Sequence, residues 1–399
     1  MDKITTRRPR STTATALERL VDALIDSGTA SAAVALVGGP RGVEWSRAAG
    51  WARGAPPDGR AAEVGTWFDF ASLTKPFVAT LALALDRSRE LPLAIPLGEV
   101  LAGAHPRLAL VPLGDLLRHR AGLPAWTPLY VRCRSLADVE ALLLAGVPPH
   151  AGGAPEGRRR AAPVYSDLDY LLWGLAAERA LGRPLAALVA ERVLAPLDLT
   201  SLTAVMPGDL PQVAASPMGG GREVEIARRQ GFDLVALPPP PLGMPQDGNA
   251  RFLASLASGA GRPLFGHAGL FGPAAALWRL GAEWLEPRIV LQKEAVATAL
   301  AGSGPFALGW WRRRHRGGGG PALSPGSYGH TGFAGGSLWL DPARSRVFVL
   351  LAYRTDPASD MNRWRRRFHA AAVRALPASP ARPRRHRSLS RRHTADEYS

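Results

Sequence analysis

A serine and a lysine, Ser72 and Lys75, lie three residues apart in the stretch FDFASLTKPF at positions 68–77. Only three of the 49 basic residues of the chain are lysines, and the other two are Lys3 and Lys293. On the first turn of a helix, side chains at this spacing share a face and can hydrogen-bond. A buried amine loses its proton more readily, and it can then accept the proton of a serine hydroxyl and make that serine a nucleophile.

The position of this pair favours such chemistry, although Ser-x-x-Lys also recurs by chance. Pro76 fits only the first turn of a helix, so a helix is expected to start at about 73–75 with Ser72 at its N-terminus. Unpaired N–H groups at a helix N-terminus stabilise a developing oxyanion. The other interpretation is a capping serine followed by a lysine whose charge extends to solvent.

Two further segments carry residues suited to the same chemistry. Tyr165 precedes a predicted helix in VYSDLDY, and a tyrosine can act as a general base if nearby cations keep it ionised. His330, Thr331 and Gly332 open an apolar strand in YGHTGFAGG. A basic residue and a hydroxyl there can contact a substrate carbonyl or carboxylate, and glycine allows the backbone to approach closely.

In this order, Ser-x-x-Lys, Tyr-Ser-Asp and His-Thr-Gly resemble the serine β-lactamase and penicillin-binding-protein superfamily. The similarity is strongest to its class C-like branch of esterases, D-aminopeptidases and DD-peptidases. Further segments similar to that branch are LLRHRAGLP (116–124), GHAGLFGPAAAL (266–277) and GHTGFAGGSLWLDP (329–342). The resemblance therefore extends over most of the chain, and the combination of motifs is more specific than any one of them.

The resemblance implies a role for each motif residue. Ser72 would be the acylated nucleophile, Lys75 its activator and Tyr165 the proton shuttle to the leaving group. The backbone N–H groups of Ser72 and Phe333 would form the oxyanion hole. The substrate-binding residues implied are Asp167, His330, Thr331 and Gly332. No metal ion and no cofactor is implied, and the expected substrate is a small ester, amide or short peptide.

Two positions depart from the family pattern. Asp167 stands where many relatives have asparagine, and His330 stands where β-lactamases and peptidases have lysine. Histidine is mostly neutral at pH 7 and Asp167 adds a negative charge, so both changes disfavour an anionic substrate. The favoured function is a serine hydrolase that acts through an acyl-enzyme on neutral esters or amides. The alternatives are a DD-peptidase or β-lactamase, and a catalytically silent binding protein that uses a basic tail.

Strand and helix patterns predict one sheet built from both ends of the chain, with a helical insertion between them. The predicted strands are 31–39, 42–52, 306–313, 328–341 and 346–354. The predicted helices are 13–27, 73–88, 111–124, 165–182, 184–195 and 361–376, with Ser166 or Asp167 capping the fourth. The resemblance implies the same α+β architecture, an antiparallel sheet flanked by helices with a mainly helical second domain and the site between the two.

These patterns divide the chain into four parts. The division is a flexible N-terminus at 1–12, a sheet domain at 13–88 and 295–376, a mainly helical domain at 89–294, and a disordered basic tail at 377–399. The tail holds six arginines without apolar periodicity. Part of the net charge of +16 therefore belongs to this tail, so the charge is weak support for nucleic-acid binding. We therefore expect no nucleic-acid partner.

Absent motifs narrow the remaining possibilities. The single cysteine, Cys133, excludes a disulfide framework and a metal-thiolate site. The chain shows no signal peptide and no apolar run of the length that a membrane span needs, so the expected location is the cytoplasm. It also lacks the Gly-x-Ser-x-Gly, Walker and His-Glu-x-x-His patterns, so α/β-hydrolase, nucleotide and zinc chemistry are not supported. The sequence leaves the oligomeric state open.

Overall fold

The computed structural model describes residues 12–54, 57–147, 163–204, 212–257, 264–313, 318–356 and 358–376. Over these ranges the helices are α1 (Thr12–Asp26), α2 (Lys75–Ser88), α3 (Pro106–Ala109), α4 (Leu113–Leu116), α5 (Leu129–Arg132), α6 (Leu136–Leu144), α7 (Asp167–Leu181), α8 (Leu185–Val189), α9 (Gly221–Arg228), α10 (Gly248–Leu256), α11 (Ala274–Leu285), α12 (Lys293–Leu300) and α13 (Met361–Ala375). The strands are β1 (Ala30–Gly39), β2 (Gly42–Arg53), β3 (Arg60–Ala61), β4 (Phe68–Asp69), β5 (Thr203–Ala204), β6 (Leu270–Gly272), β7 (Phe306–Ala307), β8 (Trp310–Arg312), β9 (Tyr328–Thr331), β10 (Ser337–Asp341) and β11 (Arg346–Arg354).

Eight of these strands form one sheet in the order β3-β2-β1-β11-β10-β9-β8-β7. Every neighbouring pair for which a register is defined runs antiparallel. At the centre of the sheet, β1 from the start of the chain pairs with β11 from its end, and Val34 lies opposite Leu351. The predicted fold class and the sheet built from both termini are therefore confirmed. A second, small sheet contains β4, β6 and β5.

The central strand β1 is buried on both faces, which explains why its sequence is a continuous apolar run. Its side chains alternate between two hydrophobic clusters, because successive residues of a strand point to opposite faces. Ala32, Val34 and Leu36 face the larger cluster, which also contains Leu277 and Leu280 of α11. The neighbouring residues Ala33, Ala35 and Val37 face the second cluster, which holds apolar residues of α1 and α13.

Helices therefore cover the sheet on both faces. Helices α1 and α13, from the two ends of the chain, pack together on one face. Helix α11 comes from the middle segment and lies on the other face, where a Cβ at Gly281 would come within 2.8 Å of Val347. The division of the chain into two domains stays a prediction. Within the described ranges, every helix falls short of the length and apolar character that crossing a bilayer requires.

Two predicted strands are each divided by a turn. The segment predicted as one strand at 306–313 forms β7 and β8, because Gly309 turns the chain with a φ of +81°. The segment predicted at 328–341 forms β9 and β10, separated by the loop 332–336. Glycine allows this loop to turn, and Gly335 has a φ of +134° that side-chain-bearing residues rarely adopt. This loop, called the 332–336 loop below, lies beside the candidate site.

The helix predictions were correct in type but less accurate at the ends. The helix predicted at 111–124 is reduced to α4, and the one predicted at 184–195 is α8 followed by a wider π-type turn to Leu194. Ser166 occupies the N-cap position of α7, yet its side chain makes no capping bond. Its hydroxyl instead donates to the carbonyl oxygen of Pro124 at 2.7 Å, so the predicted side-chain cap is wrong.

Candidate active site

Ser72 lies on a 3₁₀ turn, Ala71–Thr74, that leads directly into α2. Lys75, the first residue of α2, is one turn away. Ala71 has a φ of +46°, a left-handed conformation that is uncommon for alanine. The carboxylate of Asp69 accepts a hydrogen bond from Ala71 N at 2.7 Å and holds this bend in place. The result is a half-buried serine at the start of a buried helix.

The side chain of Lys75 is 0% exposed, and its nitrogen has three acceptors. Nζ lies 3.2 Å from Ser72 Oγ, 2.6 Å from Asp167 Oδ1 and 2.8 Å from the carbonyl oxygen of His267. Burial lowers the pKa of Lys75, and the charge of Asp167 opposes that shift. The lysine is therefore a buried amine next to the serine hydroxyl, and the interpretation of a solvent-extended lysine is wrong.

Tyr165 also contacts Ser72, and Asp167 connects the tyrosine with the lysine. The hydroxyl of Tyr165 lies 2.9 Å from Ser72 Oγ and 3.1 Å from Asp167 Oδ1. Asp167 is the first residue of α7, so one carboxylate oxygen receives both Nζ of Lys75 and the hydroxyl of Tyr165. The sequence analysis assigned Asp167 to substrate binding, whereas the structure places it inside the hydrogen-bond network of the other three residues.

Tyr165 could act as an ionised base only if nearby cations stabilised its phenolate, and its surroundings do not favour that form. Burial raises the pKa of Tyr165 well above its usual value, and the Asp167 carboxylate raises it further. Lys75 Nζ lies 5.1 Å from the centre of the Tyr165 ring, but it is paired with Asp167. Tyr165 is therefore a neutral phenol in this state, and it donates its proton to a hydrogen bond.

His330 lies near this network but does not carry a charge there. It is buried in β9, with Nδ1 2.9 Å from the carbonyl oxygen of Thr331 and its ring centre 5.9 Å from that of Tyr165. Burial lowers the pKa of His330 to about 3, and the charge of Lys75 contributes. This lowered pKa agrees with the neutral histidine expected from the sequence. Thr331, the last residue of β9, is half-buried and pairs with Ser337.

Gly332 brings the 332–336 loop against the turn that carries Ser72. A Cβ at Gly332 would lie only 2.7 Å from the carbonyl oxygen of Phe70, so a side chain is excluded unless the backbone moves. Phe333 follows and is half-buried. Among the described residues, no backbone acceptor receives the N–H of Ser72 or that of Phe333. Both groups are therefore free to donate to another oxygen.

Three further residues contact the site, and the sequence motifs did not predict these contacts. Trp311 stacks on Tyr165 with ring centres 5.3 Å apart. His119 Nδ1 accepts a hydrogen bond from Ser166 N at 3.1 Å and its ring lies 4.6 Å from that of Tyr165, so it holds the segment that carries Tyr165. His267 contributes its main-chain carbonyl to Lys75, and a carbonyl contact leaves no signal in residue type.

The match to known families agrees with this geometry. The sequence profile of the family described as Beta-lactamase matches residues 17–372, which includes all three motifs, and the chain belongs to that family.

Proteins similar in sequence include an esterase and a peptidase. The chain is 32% identical over 233 residues to Esterase EstB of Burkholderia gladioli, covering 54% of this chain and 56% of the relative. It is 29% identical over 207 residues to a putative D-alanyl-D-alanine carboxypeptidase of Escherichia coli K12, covering 47% and 44%. The chain thus spans about half the length of the curated relatives it matches.

A solved structure shows the same fold over nearly the whole chain. EstCE1, described as a hydrolase with promiscuous acyltransferase activity, superimposes with a TM-score of 0.68 at 20% identity. The superposition covers 90% of this chain and 98% of EstCE1. At this identity the likeness concerns the fold.

Proposed function

We propose that this protein is a serine hydrolase that forms an acyl-enzyme on Ser72 during the hydrolysis of small esters or amides. The observation that carries the proposal is the position of Ser72 Oγ, which is within hydrogen-bond distance of both Lys75 Nζ and the Tyr165 hydroxyl. A nucleophile next to a base, with the base oriented by a third group, is the arrangement that acyl transfer requires. The esterase and peptidase relatives support the same reaction class.

Acylation begins with Lys75 in its neutral form. As Ser72 Oγ bonds to the substrate carbonyl carbon, its proton passes to Nζ, and the carbonyl oxygen becomes an oxyanion held by the N–H groups of Ser72 and Phe333. The Tyr165 hydroxyl gives its proton to the leaving oxygen or nitrogen, and the bond from the carbonyl carbon to that atom breaks. The proton on Lys75 then returns to Tyr165 through Asp167 Oδ1, which contacts both groups.

Deacylation uses the same groups in the same roles. Neutral Lys75 takes a proton from a water molecule as that water bonds to the acyl carbon. Tyr165 donates its proton to Ser72 Oγ, from which it is separated by 2.9 Å, and the ester bond to the enzyme breaks. The proton again returns through Asp167, so the cycle ends with the groups in their starting protonation states.

The charges of the site favour neutral substrates. Asp167 carries a negative charge at the nucleophile, and the neighbouring His330 is neutral because burial lowers its pKa to about 3. A second negative charge about 6 Å from a carboxylate costs about 3 kcal/mol at an effective dielectric constant of about 20, and Lys75 offsets part of that cost only while it is protonated. Substrates with a carboxylate near the scissile bond are therefore disfavoured.

The proposed function is tested with two esters of matched length. The protein is expected to hydrolyse p-nitrophenyl butyrate with a kcat/KM at least about tenfold above that for p-nitrophenyl hydrogen succinate, which ends in a carboxylate. Initial rates at 0.5 M and 0.05 M salt show whether the difference is electrostatic, since salt weakens charge effects. Absence of turnover of both esters would refute the proposed hydrolase, and a preference for the succinate would refute the charge argument alone.

The relative named as a D-alanyl-D-alanine carboxypeptidase supports a second candidate, a peptidase or β-lactamase. Its substrates would carry a carboxylate, which Asp167 and neutral His330 oppose. Stable acylation by benzylpenicillin, or release of D-alanine from a D-alanyl-D-alanine peptide faster than ester turnover, would favour this candidate. The third candidate, a silent binding protein, predicts no acyl-enzyme with any of these compounds; its basic tail lies outside the described residues.

Asp167→Asn is expected to shift the pH dependence of the reaction. The Asp167 carboxylate raises the pKa of Lys75, so its removal lowers that pKa and lets the neutral amine form at lower pH. The acid limb of kcat/KM should therefore move down by at least about one pH unit. The pH–rate profile of p-nitrophenyl butyrate hydrolysis measures this, with exposed Asp233→Asn as the matched control. An acid limb that stays in place or moves upward would contradict the assignment of Lys75 as the base.

A further inference from the structure

Arg365 on α13 is a buried cation that makes no ion pair within the described ranges. It is 6% exposed, and its guanidinium donates to the main-chain carbonyls of Gly332, Gly335 and Gly336 at 3.2, 2.7 and 2.8 Å. A further hydrogen bond reaches Asn362 Oδ1 at 2.8 Å. Burying a guanidinium is costly unless its donors find acceptors, and here both terminal nitrogens do, with Nη2 directed at one loop and Nε left without a partner in the part of the chain described.

Arg354 at the end of β11 holds the same loop from a second position. It is 7% exposed, and its Nη2 donates to the carbonyl oxygen of Phe333 at 2.6 Å. Its guanidinium lies 5.1 Å from the centre of the Phe333 ring, and its main-chain N donates to the carbonyl of Ala334 at 3.0 Å. Together the two arginines donate hydrogen bonds to all five carbonyl groups of the 332–336 loop.

This arrangement, together with the hydrogen bond from Gly335 N to the carbonyl oxygen of Gly332 at 3.1 Å, determines the direction of one N–H group. The carbonyl of Gly332 and the N–H of Phe333 belong to the same planar trans peptide unit, so they point in opposite directions. Because the carbonyl is directed at Arg365, the N–H of Phe333 is directed away from it. The turn that carries Ser72 packs on this loop, as the 2.7 Å approach of a Gly332 Cβ to Phe70 O shows.

We propose that Arg365 is a positioning residue that aims the Phe333 N–H at the oxyanion formed on Ser72. The inference rests on the proposed hydrolase function. Arg365 acts through the backbone of the 332–336 loop and need not touch the substrate. One guanidinium nitrogen, Nη2, lies within hydrogen-bond distance of all three carbonyls while Nη1 is held by Asn362 Oδ1, and the single ammonium of lysine cannot occupy both positions at once. The contribution of Arg365 is therefore made in the transition state, where the oxyanion exists, rather than in substrate binding.

The test compares Arg365→Lys with Arg363→Lys, an exposed position on the same helix. Hydrolysis of p-nitrophenyl butyrate by Arg365→Lys is expected to show a kcat lower by about 100-fold with KM changed less than about twofold, as for loss of one oxyanion donor. The affinity for butylboronic acid, which forms a tetrahedral adduct on the serine, should fall by a similar factor. Arg363→Lys should match the wild type in all three quantities.

The outcomes separate this inference from the proposed function. Wild-type protein that neither hydrolyses the ester nor binds the boronic acid would refute both. If the wild type is active and folded Arg365→Lys keeps the wild-type kcat and boronic-acid affinity, the inference alone is refuted. A change in KM alone would refute it in the same way. If Arg365→Lys unfolds, Arg365→Gln is measured in the same way, since its uncharged amide retains a donor without burying a charge. The same loss of kcat and boronic-acid affinity is expected, and unchanged values would again refute the role of Arg365.

Discussion

Replacing Ser72 with alanine is expected to reduce ester hydrolysis by about 10⁶-fold, the scale of loss when the nucleophile of a serine hydrolase is removed. The reason is that Lys75 and Tyr165 both hydrogen-bond to Ser72 Oγ, and without that oxygen neither has an atom to activate. The measurement is kcat/KM for p-nitrophenyl butyrate in the two proteins. Alanine removes a half-buried hydroxyl without adding volume, so the fold should be retained.

Ser88→Ala is the matched control, because Ser88 is an exposed serine at the other end of α2. It should keep the wild-type rate. A rate for Ser72→Ala within about tenfold of the wild type would show that the hydrolysis takes place elsewhere, since loss of the nucleophile removes far more than that.

Lys75→Arg is expected to lower kcat/KM by at least about 10³-fold although it keeps the positive charge. Arginine stays protonated near neutral pH, so it cannot accept the serine proton. Burial lowers the pKa of Lys75, which allows the neutral amine to form, and this property is lost on substitution. The larger guanidinium also has to fit a fully buried position, so unfolding temperatures must be recorded beside the rates.

Lys293→Arg is the control for this experiment, because Lys293 is exposed at the start of α12. Its substitution should leave the rate and the unfolding temperature unchanged. A folded Lys75→Arg protein that retains wild-type activity would exclude Lys75 as the base and leave a charge-stabilising role instead.

The sequence predicted the fold well where hydrophobic pattern and turn chemistry agree. The strand 346–354 was predicted at its observed position, because a long apolar run permits few alternatives. The division of 306–313 and 328–341 was not predicted, since both turns depend on glycines whose positive φ values are set by tertiary packing. Short apolar runs do not show where such a turn falls.

The sequence indicated which residues form the candidate site, but it did not predict the hydrogen bonds that join them. Composition singled out Lys75, and its hydrogen bond to Ser72 follows from their spacing. The link from Asp167 to Lys75 spans 92 positions, and no local pattern encodes it. The protonation of Tyr165 also depends on burial and on Asp167, which only the folded chain defines.

The buried arginines illustrate the same limit. Arg354 and Arg365 belong to a chain with an abundance of arginine, and in the sequence nothing distinguishes them from the exposed ones. Their role depends on which carbonyl groups the fold brings to them. The same is true of Asp69, whose carboxylate holds the bend before Ser72.

Covalent labelling tests the central claim most directly. The protein is incubated with an alkyl fluorophosphonate, digested, and analysed by mass spectrometry for the residue that carries the added phosphonyl group. We expect a single adduct on the Ser72 hydroxyl oxygen, absent from Ser72→Ala and formed more than about 100-fold more slowly in Lys75→Arg. An adduct on another residue, or no adduct in a protein that hydrolyses p-nitrophenyl butyrate, would contradict the account.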